Sequence, residues 1–225
     1  MEARQMSTVA RLACCIAFGA VLGSVPKAPA APFTPADDDV VIERLPFRAR
    51  DAEAQELAAL RAAVGRAPQD RQAAAELARK YFEYALAQGD PRYVGYADAV
   101  VGRFAEPLPA PLLLVRGMLL QYRHEFDAAL DDFAAALVRD PDLAGAHAWR
   151  GAIHLVRADY ARAAEECEAL ARLGRDVLAG GCSGLLLAYT GQLDKADATL
   201  AQALAAAKKT VEDGREAHSV HGYFL

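Results

Sequence analysis

His147 and His154 stand seven residues apart, a spacing that can place two imidazoles on one face of a helix, and His218 and His221 have the three-residue spacing of a metal-ligand pair. Neither set has the cysteine or carboxylate company of a strong zinc pattern, so both read as surface or packed histidines and no metal is expected. The sequence contains no HExxH, GxSxG or GxxxxGK, and Gly180, Gly181 and Gly184 are not read as a phosphate loop, Gly184 being read as a close-packing glycine. No catalytic residue and no cofactor are therefore assigned. A hydrolase built on His147, His154 and neighbouring carboxylates is the enzymatic alternative. Arg116 and Arg123 repeat the seven-residue spacing, as do Arg150 and Arg157. Stacked, they would make a basic ladder able to receive a phosphate or carboxylate; the plainer reading pairs them with Asp127, Asp131, Asp132, Glu165 and Glu166. The run Asp37, Asp38, Asp39 projects its carboxylates in different directions and reads as solvated rather than metal-binding.

The elements that position these residues must be helices. Alanine fills 52 of 225 positions, and with Leu, Glu, Arg and Gln it favours helix over the β-branched mix that strands prefer. The 25 basic and 30 acidic residues leave a formal charge of −5, which argues against a nucleic-acid partner.

The N-terminus reads as an address. Arg4 and Arg11 precede an apolar run from Leu12 to Val25, and Ala28 and Ala30 follow as a small-residue cleavage site. Residues 1–30 are expected to be a signal peptide removed after Ala30, the apolar run being shorter than the ~20 residues that cross a bilayer. An uncleaved inner-membrane anchor is the alternative. Cys14 and Cys15 lie at the wrong end of the run for lipidation. The mature chain, most simply periplasmic and without stable membrane insertion, would carry 22 basic and 29 acidic residues, or −7. Residues 31–50, with Pro32, Pro35 and Pro46, are expected to be a disordered linker.

A repeat organises the rest. Gly117 recurs as Gly151 and Ala129 as Ala163, each 34 residues on; a further step of 33 reaches Gly184 and Ala196. Apolar residues at three and four spacing flank short polar turns at 123–125, 157–159 and 190–192, so each unit is a pair of helices. Small residues at Gly117 and Ala129 let paired backbones approach, Phe133 fills the space beside them, and Asp140-Pro141 ends the second helix. This arrangement resembles the tetratricopeptide repeat, and the unit from Ala110 carries the pattern most fully with Gly117, Phe126, Ala129, Phe133, Ala136 and Pro141. The resemblance implies an all-α solenoid over residues 51–210. Its units lie near 71–109, 110–143, 144–176 and 177–210, behind a capping helix over 52–65. The first unit is degenerate, its turn displaced to 88–91 and its second helix expected over 93–104. A tail, 211–225, follows. The stretches 41–46 (VIERLP) and 89–97 (GDPRYVGYA) also look like those of exported bacterial repeat proteins of unassigned role.

In such a stack the first helices line a groove. Positions carried over from the family place Arg79, Phe82, Glu83, Leu114, Met118, Gln121, Tyr122, Leu155, Val156, Leu185 and Tyr189 on that surface, which is mostly apolar and aromatic. It lacks the Lys and Asn of a carboxylate clamp and suits an amphipathic helix or an extended apolar segment. The alternative is that these side chains fill a tightly wound superhelix. The expected function is a non-catalytic protein- or peptide-binding scaffold of the cell envelope, or else an accessory subunit of an envelope assembly that uses its chain ends. Cys167 and Cys182 lie on consecutive helices, equidistant from a turn near Gly174; a disulfide is favoured over two buried thiols. The tail ends in Tyr223, Phe224 and Leu225, leaving open packing over the last unit, homodimerisation or continuation of a longer array.

Overall fold

The computed structural model describes Asp37, Val40 and residues 52–212, with side chains through Lys208. The signal peptide, most of the linker, His218, His221 and nearly all of the tail lie outside the described residues. The chain divides into one unit up to Pro46 and a second from Phe47 onward. In the first, the Val40 amide donates to the Asp37 carbonyl at 3.4 Å.

The regular structure among the described residues of the second unit is all helical. In chain order its helices are α1 (Ala52–Arg66), α2 (Arg71–Gln88), α3 (Arg92–Val101), α4 (Ala110–Tyr122), α5 (Phe126–Arg139), α6 (Ala144–Val156), α7 (Tyr160–Arg172), α8 (Asp176–Tyr189) and α9 (Leu193–Glu212). They pack as pairs: α2 with α3, α4 with α5, α6 with α7 and α8 with α9. The first helices also touch in succession, α2 to α4 to α6 to α8, and each second helix lies against the first helix of the next pair. Helix α1 packs on α2 as a second helix would. This is the all-α stack of antiparallel helix pairs expected from the period.

Local chemistry sets the boundaries. The Asp70 carboxylate accepts from the amides of Gln72 and Ala73 at 2.9 and 3.1 Å, capping α2, and Gly89 closes that helix at φ 65°. Helix α3 stops at Val101 rather than continuing to Phe104. Gly102, Pro107 and Pro109 in the following segment cannot sustain a helical ladder. Within the later pairs the turn places His124, Ala158 and Gly191 in the left-handed region, at φ 62°, 57° and 80°. These three follow the same 34- and 33-residue steps as the packing glycines.

Where paired helices meet, side chains take the room that a β-carbon would need. A β-carbon on Gly117 would lie within 2.8 Å of three atoms of the Phe133 ring, and one on Gly184 would overlap the Leu200 side chain. The largest fully buried side chains include Phe82, Leu112, Leu119, Phe133, Ile153 and Leu170, so the core runs along the stack instead of gathering at one centre.

Candidate binding face

The arginines of the expected ladder are placed by the repeat and neutralised by it. Arg116 on α4 donates through Nε and Nη2 to both carboxylate oxygens of Asp132 on α5, each at 2.7 Å, and through Nη1 to Glu106 at 2.7 Å. These acceptors hold the Arg116 guanidinium above its ordinary pKa, with Asp132 the largest cause. The Glu106 carboxyl is held below the usual range, first by the Leu108 amide and then by Arg116. One unit later Arg150 meets buried Glu166 at 3.0 Å, the same sixteen-residue offset within a pair. Arg123 binds Asp98 at 2.8 Å and Arg157 binds Asp127, each reaching back to the preceding pair. No open basic ladder results. A two-helix unit that buries an arginine stem beside its packing glycine must supply a carboxylate across the pair, and this one does.

The histidines are likewise absorbed. His147 Nδ1 lies 2.6 Å from Glu166 Oε2, so Glu166 is bracketed by His147 and Arg150. His154 is buried, and that burial pushes its pKa below 6.5 against the opposing pull of Asp159. The two imidazoles therefore present no shared open site. Among the described residues no group of three or more His, Cys, Asp or Glu could hold a metal ion, and no helix is long and apolar enough to cross a membrane.

Cys167 on α7 and Cys182 on α8 form a disulfide with Cα atoms 5.4 Å apart. It ties the second helix of one pair to the first helix of the next. Gly151 lies against it, a β-carbon there falling 3.3 Å from Cys182 Sγ.

The residues expected to line the groove separate into three sets. Phe82, Leu114, Met118 and Leu155 are buried, which corrects their placement as open surface. The reason is the winding of the first helices. Phe82 of α2 makes edge-on contacts with Tyr122 of α4 at 6.1 Å and with Trp149 of α6 at 6.0 Å, so three pairs close over one ring. Arg79 and Glu83 are half-buried and pair with one another along α2. Gln121 and Leu185 are half-buried. Tyr122, Val156 and Tyr189 are open to solvent, at 40 %, 64 % and 58 % of their surface. These three occupy the same repeat position, 34 and then 33 residues apart, at the C-terminal ends of α4, α6 and α8. On the helices that carry Val156 and Tyr189 a small apolar hollow lies between α6 and α8, lined by Ala148, Ala152 and Leu155 on one side, Leu178, Cys182 and Leu185 on the other, and Leu170 of α7. The face thus offers an apolar ridge, one residue per pair, with an apolar hollow between the helices of its second half.

One cluster has no counterpart in the expectations. Tyr81, Tyr93 and Tyr96 lie 5.6 to 6.0 Å apart pairwise, Tyr84 stands 5.0 Å from Tyr93, and the Arg61 guanidinium sits over the Tyr81 ring while its Nε donates to the Tyr81 hydroxyl at 2.7 Å. The aromatic content of α2 and α3 was the available signal, but these helices form the degenerate pair, whose displaced turn hides the register. The cluster fastens the capping helix to the stack.

Repeated antiparallel pairs, with small residues where paired helices cross and first helices in succession, define a tetratricopeptide-like all-α solenoid. No protein-family model matches the chain, and no curated protein matches it. Among solved structures it is similar to the crystal structure of MamA, at 17% identity and a TM-score of 0.47, over 71% of this chain and 91% of that one. A second MamA crystal structure matches at 17% identity and 0.45, over 71% and 85%. A tetratricopeptide repeat protein from Parabacteroides merdae matches at 16% identity and 0.45, over 72% and 68%.

Proposed function

We propose that this protein is a non-catalytic scaffold that holds an apolar or amphipathic segment of another protein against its first-helix face. The observation that carries the reading is the ridge of Tyr122, Val156 and Tyr189, exposed at one repeat position in three successive pairs, with the hollow between α6 and α8. Tyr122 and Tyr189 are rigid side chains with polar tips that bury much area at low entropic cost, and with Val156 between them they make a regular apolar row that suits an occupant with regularly spaced apolar groups. Further support is chemical. Arg116, Arg123, Arg150 and Arg157 are neutralised by carboxylates, His147 is held against Glu166 and His154 is buried, which leaves this face to recognise shape and apolar area. Affinity capture by the protein, compared with a Tyr122→Ala/Tyr189→Ala variant and a Tyr96→Ala control on α3, tests the reading. Loss of a bound partner with the double variant alone, at unchanged circular dichroism, is expected; equal capture by all three removes the face from the account.

We further propose that the protein acts outside the cytoplasm, in the bacterial envelope. The charged, apolar and small-residue order of residues 1–30 supports export, and the Cys167–Cys182 disulfide suits an oxidising compartment. Cell fractionation with N-terminal sequencing tests this: a periplasmic chain beginning at Ala31 is expected, and a cytoplasmic chain retaining residues 1–30 contradicts it.

A further inference from the structure

The stack leaves one seam uncovered among the described residues. In α5, Phe126 and Leu137 are half-buried against the core, and α6 packs on that helix. Sixty-seven residues on, two repeat steps, stand Leu193 and Leu204 of α9, which are 66 % and 71 % exposed. The adjoining side of α9 is engaged: Ala196 and Ala203 are buried, and Ala203 and Leu200 fit against Gly180 and Gly184 of α8. The outer side carries Asp197, Ala201, Leu204 and Lys208, all exposed. At 100° per residue these four positions fall within about 60° of helix circumference, and the two charges stand roughly 16 Å apart along the axis.

We infer that this face is a docking surface for α9 of a second copy of the chain, the two helices running antiparallel about a two-fold axis. The sequence of the face is complementary to its own reverse. With the axis between residues 202 and 203, Leu204 of each copy lies opposite Ala201 of the other, large against small, and Asp197 of each lies opposite Lys208 of the other. Alanine at the crossing allows the axes to approach to about 8 Å, and the two Asp–Lys pairs flank the leucines on the rim, where they set orientation. A parallel pairing would set Asp197 against Asp197 and Lys208 against Lys208, so charge selects the antiparallel arrangement. The occupant supplies what α6 supplies to α5, an apolar neighbour on the outer seam of a second helix.

Sedimentation equilibrium of the full chain across a range of concentrations tests this, with four variants. A reversible dimer is expected. Leu204→Glu on this exposed position, with unchanged circular dichroism, should weaken it at least about tenfold. Asp197→Lys alone should weaken it, and Asp197→Lys combined with Lys208→Asp should restore it. A monomer at every concentration overturns the inference, as does self-association indifferent to Leu204→Glu, or a charge swap that does not restore pairing. A chain ending at Glu212 that dimerises where the full chain does not would assign the seam to residues 213–225, and that result also overturns it.

Discussion

The ring of Phe133 on α5 occupies the space where a β-carbon of residue 117 on α4 would stand. Glycine normally costs a helix interior up to about 1 kcal/mol relative to alanine, so its presence at mid-helix must be offset by packing. Phe133 is fully buried and cannot swing aside. Gly117→Ala is therefore expected to destabilise despite alanine's better propensity, and Gly117→Leu to cost about 1 to 3 kcal/mol or more. Phe133→Ala should cost about 3 to 5 kcal/mol. Chemical denaturation of the single variants and of Gly117→Ala/Phe133→Ala measures the coupling. The double variant should lose less than the sum of the singles, and simple additivity would show that the two residues do not touch.

Burial lowers the pKa of His154 below the 6.5 of an unfolded chain. Below that pH the unfolded chain binds more protons than the folded one, so the stabilisation is complete above 6.5 and is lost as pH falls through it towards the depressed folded value. Thermal midpoints between about pH 7.5 and about pH 5 should therefore fall more steeply for the natural chain than for His154→Gln. Equal slopes would contradict the burial of a neutral imidazole.

The Cys167–Cys182 disulfide joins residues fifteen apart across a turn. In the chain-entropy account, closing so short a loop contributes about 3 kcal/mol. Non-reducing peptide mapping of purified protein should give a linked peptide pair, and Cys167→Ser/Cys182→Ser should unfold at correspondingly lower denaturant. Two separately alkylated peptides would remove the covalent tie between α7 and α8.

Much of the fold was legible because its determinants recur. Gly117, Gly151 and Gly184 mark where paired helices cross, Asp140-Pro141 ends a helix by removing a donor, and the two cysteines sit symmetrically about Gly174. The partners of Arg116, Arg150 and Arg157 lay among the five acids the sequence offered, but which acid met which arginine was not legible, and Asp98, the partner of Arg123, was not among them. The binding face was only half legible. A repeat position says which way a side chain leaves its helix, but not how tightly successive first helices wind. That is decided where Phe82, Tyr122 and Trp149 meet from three different pairs, and the closure there buries Phe82 while leaving Tyr122 open. The tyrosine cluster on α2 and α3 was hidden by a pair that keeps the architecture without the period.

The central claim, that the first-helix face holds a partner through its apolar ridge, is tested most directly by a photo-crosslinking side chain placed in turn at residues 122, 156 and 189. A fourth placement at exposed Val138, on the second helix α5, serves as the outer control. One common crosslinked partner is expected from the three ridge positions in the native cell, and none from Val138. Crosslinks from Val138 alone, or different partners from each ridge position, would contradict the claim.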